Sequence, residues 1–169
     1  MKKAVFLLVL AFVLSTSVLA NALQYTALLV GSNTAFVNDV QLQLDPQNPD
    51  VIAFVEDNRT FVPVRFITES YGGTAEWFQE TQIVELNVNG INILLTIGEA
   101  QIIVNGTAQP LDVAPIVRND RTFLPLRAIV EAMGKQVFYD RGLILISDIE
   151  NILHPVWDAD VVDWIISRF

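Results

Sequence analysis

Residues 59–72 read RTFVPVRFITESYG and residues 121–134 read RTFLPLRAIVEAMG. The two stretches agree at Arg59/Arg121, Thr60/Thr122, Phe61/Phe123, Pro63/Pro125, Arg65/Arg127, Ile67/Ile129, Glu69/Glu131 and Gly72/Gly134, and most other pairs are apolar for apolar. Such self-similarity marks a chain built from copies of one supersecondary unit. The likeness extends outward. Downstream, Ala75-Glu76-Trp77 aligns with Val137-Phe138-Tyr139. Upstream, Phe36-Val37-Asn38-Asp39 aligns with Ile103-Val104-Asn105-Gly106. The first copy is longer between this turn and the Arg-Thr-Phe motif, and the surplus lies around Pro46 and Pro49, which read as a loop.

Within each stretch the hydrophobic period changes. Asn105-Gly106 and Asn89-Gly90 are strong hairpin signals and Asn38-Asp39 a weaker one, because these residues tolerate positive φ. Val40, Leu42 and Leu44 alternate with Gln41 and Gln43, the pattern of a half-buried strand. Pro63 and Pro125 suit the first turn of a helix, where a missing N–H costs nothing. Leu126, Ile129, Val130 and Met133 then fall on one helical face, and Val64, Ile67 and Tyr71 repeat much of it. Gly72 and Gly134 stand where a left-handed C-terminal cap belongs. The expected architecture is α+β: antiparallel hairpins packed on short helices in two copies of a ββαβ-type unit, with Ile83–Val88 and Leu143–Ser147 as returning strands. Asp158 or Asp160 can open a further amphipathic helix with a stripe of Val162, Ile165, Ile166 and Phe169, packed on the body or awaiting a partner. The expected division is 1–22 signal peptide, 23–89 first repeat, 90–149 second repeat, and 150–169 C-terminal helix.

The compartment follows from the start of the chain. Lys2 and Lys3, the apolar run Ala4–Leu14 and the small residues Ala20 and Ala22 form a secretory signal, with cleavage open after either alanine. The apolar run is short for a bilayer core of roughly 30 Å. An uncleaved anchor is the competing reading; with cleavage, no stable membrane insertion is expected. The net charge is −9, and removing the two lysines makes it more negative still. An acidic surface of this kind is repelled by phosphate backbones, so nucleic acid is not an expected partner. The chain has no cysteine, so no disulfide staples it.

In order, the segment V-N-G/D, an acidic Leu-Asp, R-T-F-[VL]-P-[VL]-R-x-I-x-E-x-x-G and an aromatic resemble the copper amine oxidase N-terminal-like domain, the stalk domain of bacterial secreted proteins. The resemblance covers roughly residues 27–149. It implies an antiparallel sheet wrapped on a helix and an accessory role on exported or envelope proteins. It imports no copper: the chain has one histidine, His154, and copper sites need several nitrogen ligands. No cofactor and no metal are expected.

The candidate residues carry two readings each. Arg65/Glu69 and Arg127/Glu131 stand four apart, so each pair can clamp an anion or bridge within its helix, and their recurrence hints at a partly buried role. Arg59 and Arg121 suit bonds to carbonyls at the strand-to-helix corner. Tyr71, Trp77, Phe78, Tyr139, Trp157 and Trp164 can stack on sugar rings or fill the core; the matched positions of Trp77 and Tyr139 favour the core. Trp157 and Trp164 lie outside the repeat and are candidates for a partner surface. Asp158, Asp160 and Asp163 can attract calcium, but capping and dipole pairing account for them more simply. No catalytic set is assembled by the pattern. The expectation is a non-enzymatic secreted or envelope scaffold acting through protein contacts, with a wall- or polysaccharide-binding module as the alternative.

Overall fold

The computed structural model describes residues 24–169 apart from Asn151. The signal peptide and its cleavage point fall outside the described residues. In chain order the elements are β1 Tyr25–Leu29, β2 Thr34–Val37, β3 Val40–Gln43, β4 Phe54–Glu56, β5 Arg59–Pro63, α1 Val64–Ser70, β6 Thr74–Phe78, β7 Ile83–Val88 and β8 Ile91–Thr96. There follow β9 Gln101–Val104, β10 Thr107–Pro110, β11 Ile116–Arg118, β12 Arg121–Pro125, α2 Leu126–Ala132, β13 Gln136–Asp140, β14 Leu143–Ser147 and α3 Ala159–Ile166. The class is α+β. Three antiparallel sheets run β13-β14-β1-β2-β3, β10-β9-β8-β7-β6 and β11-β12-β5-β4.

Six tight turns punctuate these strands, and each places two consecutive residues at positive φ: Asn38-Asp39, Asp57-Asn58, Asn89-Gly90, Asn105-Gly106, Asn119-Asp120 and Arg141-Gly142. Two left-handed residues in succession make the turn whose twist matches that of the flanking strands. Asn38 and Asn105 do more than turn. Their side-chain oxygens accept from the backbone N–H of Tyr25 and Asn92, each at 2.9 Å, and so tie each hairpin to the strand beside it.

The Arg-Thr-Phe strands meet each other at the centre. β12 runs antiparallel to β5 with Phe123 opposite Pro63, Leu124 opposite Val62 and Pro125 opposite Phe61. Two seams flank this contact. β7 pairs with β8 with Ile83 opposite Thr96 and Asn87 opposite Asn92. β14 pairs with β1 with Leu143 opposite Leu29 and Ser147 opposite Tyr25. The first seam is closed by a two-residue turn; the second joins strands from opposite ends of the chain.

One core cluster fills the space among the sheets and α1 and α2, with Leu28, Val62, Ile67, Leu86, Ile93, Leu124, Ile129 and Ile146 fully buried. A second cluster lies on the other face of β14 and β1. There Ala27, Phe36, Leu143 and Leu145 are covered by Leu153 and by Val161, Val162 and Ile165 of α3. The C-terminal helix therefore packs on the body. Its cover also explains why every residue of β14 is buried, with no alternation.

Four expectations are corrected. Each helix is followed by a hairpin, β6–β7 or β13–β14, and not by a single returning strand. Pro63 and Pro125 close their strands and stand one position before the helices, at the N-cap. β3 is an edge strand, so Val40 and Leu42 are exposed rather than half-buried, and only Leu44 turns into the core. Asp158 sits at the N-cap of α3, but its Oδ2 accepts from the N–H of His154 (2.9 Å) and caps no helical N–H.

Gly72 and Gly134 adopt φ of +75° and +66° after α1 and α2. The Gly134 N–H donates to Glu131 O and the Lys135 N–H to Val130 O, which satisfies carbonyls of the last turn. A Cβ at Gly134 would meet nothing within 4 Å, so the cost of substitution there is conformational. Gly134→Val is expected to lose about 2 kcal/mol, more than Gly134→Ala, because a β-branched side chain suits positive φ least. Chemical denaturation of the two variants side by side checks the order.

Candidate functional site

The two halves differ most in one loop. Residues 44–53 connect β3 to β4, whereas 111–115 suffice between β10 and β11. The longer loop is held at both ends by burial of Leu44, Val51 and Ala53. Asp45 Oδ1 accepts from the N–H of Gln47 (2.8 Å), and Asn48 Oδ1 from that of Asp50 (3.1 Å). Asn48 Nδ2 donates to Asn119 O at 2.9 Å, and Asn119 Nδ2 returns the contact to Asp50 O at 3.0 Å. The loop is thus an ordered wall clasped to the β11–β12 turn.

Between this wall, α1 and β6 runs an open groove of ≈ 770 Å³. Its floor is apolar, with Val64, Ala75 and Val84; Trp77 stands on β6 opposite Val84 and is 40% exposed. Gln47, Gln79 and Gln82 bring amides to the rim. Acidic residues Asp45, Glu69 and Asp120 line the groove together with Arg65 and Arg121, while Glu76 projects from the opposite face of β6 to Trp77.

The motif arginines do not bond the strand-to-helix corner. Arg121 Nε donates to Asp45 at 2.5 Å and its Nη1 to Asp120 O at 3.0 Å. Arg59 repeats the arrangement with Asp112 and with Asn58 O. Each arginine grips the hairpin turn behind it and a carboxylate from the opposite half. Arg118 adds a third tie of the same kind, pairing with Glu56 and lying 3.8 Å from the Phe54 ring centroid. Burial opposes ionisation of Asp45, but the Arg121 hydrogen bond and the N–H groups of Gln47 and Asn48 outweigh it and hold the carboxyl below its usual range. The hydrogen bond from Arg59 does the same for Asp112.

A depressed folded-state pKa means that the unfolded chain binds more protons. The stabilisation is then present above about pH 4, the ordinary aspartate value, and is lost as pH falls through the lower folded values. Asp45→Asn is therefore expected to cost about 1 kcal/mol at neutral pH and to flatten the acid limb of a melting-temperature series relative to the parent chain. Parallel acid limbs in the two proteins would contradict the assignment.

Arg65, Glu69, Arg127 and Glu131 all face outward, against the expectation of a partly buried role. Arg127 and Glu131 are 4.0 Å apart and open to solvent, worth only tenths of a kcal/mol. Among the described residues Arg65 and Glu69 form no ion pair; both line the groove. Of the aromatic candidates Tyr71 alone is in the core, where its hydroxyl donates to Ile146 O (2.9 Å) and burial pushes its pKa up to about 12. Trp77, Phe78 and Tyr139 lie on the outer strands β6 and β13 and are exposed, against the core reading. Trp157 and Trp164 are exposed on the C-terminal segment, away from the groove lining. Trp157 stacks on His154 (centroids 4.2 Å apart, planes at 19°), whose Nδ1 accepts from the backbone of Val156 and Trp157. Asp163 pairs with Arg141 at 2.5 Å. Among the described residues no three His, Cys, Asp or Glu side chains gather as a metal site would require, and no helix is long and apolar enough to cross a membrane.

Two residues without a motif matter here. Lys135 is buried, its Nζ 2.5 Å from Asp148 Oδ1 and 4.6 Å from the centroid of the Tyr71 ring. Gly73 occupies the matching position after α1, against the backbone of β7.

Both Arg-Thr-Phe strands, β5 and β12, fall inside a span that a known family matches. The family model of the copper amine oxidase N-terminal domain matches residues 45–146, more than half of the chain. The chain belongs to that family. In copper amine oxidases this N-terminal domain is a non-catalytic accessory part. The matched span runs from the groove wall into β14; β1–β3 lie before it, although the resemblance seen in the sequence begins near residue 27. No curated protein matches the chain.

Proposed function

We propose that this copper amine oxidase N-terminal-type chain is a secreted or cell-envelope scaffold that acts through protein contacts and catalyses no reaction of its own. The observation that carries the reading is the use of the repeated motif. Arg59 and Arg121 hold the halves together through Asp112 and Asp45, and Phe61 and Phe123 are buried, so the most distinctive residues of the sequence serve cohesion. On this reading 23–89 and 90–149 are two copies of one unit joined at the Asn89-Gly90 turn, and 150–169 is an added cover. The matching registers of the β7–β8 and β14–β1 seams support the duplication. Trp157 and Trp164 offer a partner surface on that cover, where Trp157 is 71% exposed.

Export is tested by mass spectrometry of the cell-free or envelope fraction, which should find a chain beginning at Asn21 or Leu23. The purified chain is expected to show no amine oxidation and no polysaccharide hydrolysis. Turnover that co-purifies with the chain and disappears on mutation of its acids would refute the scaffold reading.

A second reading, an accessory module for wall glycan or other polysaccharide, is favoured by one feature. The groove has an apolar floor, an exposed tryptophan and an amide rim, the composition of a sugar-binding cleft.

A further inference from the structure

We propose that the groove beside Trp77 binds a strand of uncharged polysaccharide, and that Tyr139, the counterpart of Trp77 in the second half, forms no such site. The proposal rests on the polysaccharide-binding reading above.

The platform comes first. Trp77 is fixed on β6 by its pairing with Val84, whose side chain is buried, so the ring is presented on a sheet and little freedom is lost on binding. A half-exposed indole offers an apolar face and one N–H donor, which suits the apolar C–H face of a pyranose flanked by hydroxyls. Gln47 and Gln79 carry both donors and acceptors, as sugar hydroxyls require.

Charge then narrows the class. Three acidic residues, Asp45, Glu69 and Asp120, and two arginines line the groove beside Trp77, and one of those arginines, Arg121, is already committed to Asp45. The whole chain is acidic, at −9. A uronate or phosphate polymer would meet repulsion both at a distance and at the site. An uncharged glycan meets neither.

The insertion makes the site one-sided. Tyr139 is the counterpart of Trp77 and is equally exposed, on β13 opposite Ile144. The loop that would wall it, 111–115, lacks the length of 44–53. Tyr139 therefore stands on an open strand face, whereas Trp77 stands in a groove.

The test uses isothermal titration of the full exported chain with cellohexaose, chitohexaose and polygalacturonate. Trp77→Ala and Tyr139→Ala are the variants, and a thermal melt of each establishes that it is folded. The expected result is binding of at least one neutral hexaose with little dependence on salt. Affinity should fall at least about tenfold in Trp77→Ala and change less than about twofold in Tyr139→Ala. No binding of any glycan by the parent chain overturns the polysaccharide reading and the site with it. Binding that is indifferent to Trp77 leaves that reading standing and overturns only the site. Stronger binding of polygalacturonate than of either hexaose overturns the assignment of an uncharged ligand.

Discussion

Replacing Phe123 by alanine is expected to cost about 4 kcal/mol and to lower the melting temperature by roughly 10 °C. Phe123 is 1% exposed and lies in the central contact of β12 with β5. Its ring centroid is 5.2 Å from that of Phe54, which stacks on Phe61 at 5.2 Å. Truncation removes the transfer free energy of a whole aromatic ring. It also leaves a void, because the neighbouring main chain is fixed by the ladder between the two halves and cannot collapse inward. The loss should appear in full as reduced equilibrium stability in urea, with the transition still cooperative. A change below about 1 kcal/mol would mean that Phe123 is not packed in the centre of the molecule.

The second large effect belongs to Gly73. A Cβ at this position would lie 2.5 Å from the carbonyl oxygen of Asn87, 2.7 Å from Thr68 Cγ2 and 2.8 Å from Val88 Cβ. Two of those atoms belong to β7, whose neighbours β6 and β8 hold it on both sides. Thr68 is no softer: its hydroxyl donates to Val64 O at 2.8 Å within α1. Accommodating one methyl group thus requires the helix and the sheet to move apart. Gly73→Ala is expected to lose about 3 kcal/mol, within the range of overpacked cores. Gly72→Ala next to it serves as the control. Gly72 has positive φ but open space, and should lose about 1 kcal/mol. Urea titration of the two variants discriminates steric conflict from backbone strain: equal losses would reject the close approach of α1 to β7.

How much of this could be read in the residues depends on the physics behind each feature. A buried helical face declares itself through period, as Leu126, Ile129, Val130 and Met133 do, because each must point at the same neighbour. Turns declare themselves most clearly where glycine marks the left-handed position, as at Asn89-Gly90 and Asn105-Gly106, and more weakly at Asn38-Asp39. Asp57-Asn58 and Asn119-Asp120 adopt the same backbone as Asn105-Gly106 without one, so the β4–β5 and β11–β12 hairpins are easily read as extended segments. Exposure of Trp77, Tyr139, Val40 and Leu42 was not legible, since alternation tells which residues share a face and not whether another layer covers it. The unbroken apolar run of β14 is the converse case. Its meaning appears only when α3 is found on the outer face.

The site was partly legible. The surplus around Pro46 and Pro49 marked the wall, but its role needs α1, β6 and the β11–β12 turn brought together from distant parts of the chain. The partners of Arg59 and Arg121 were hidden for a related reason. Each is a carboxylate from the other half, at a separation no local spacing rule reaches.

The β14–β1 seam has a mechanical consequence. Tyr25 and Ser147, which face each other in the ladder, lead respectively toward the start of the chain and toward α3. Tension applied at Gln24 and Phe169 would first draw on Arg168–Asp39 and on the Phe36–Phe169 edge contact. It would next peel α3 and its Arg141–Asp163 tie from the sheet and then open β1 from β14 one rung at a time, like a zipper, rather than shear all the rungs together. Loaded in this direction the domain yields at low force, and the central β5–β12 clasp is spared until the seam has parted.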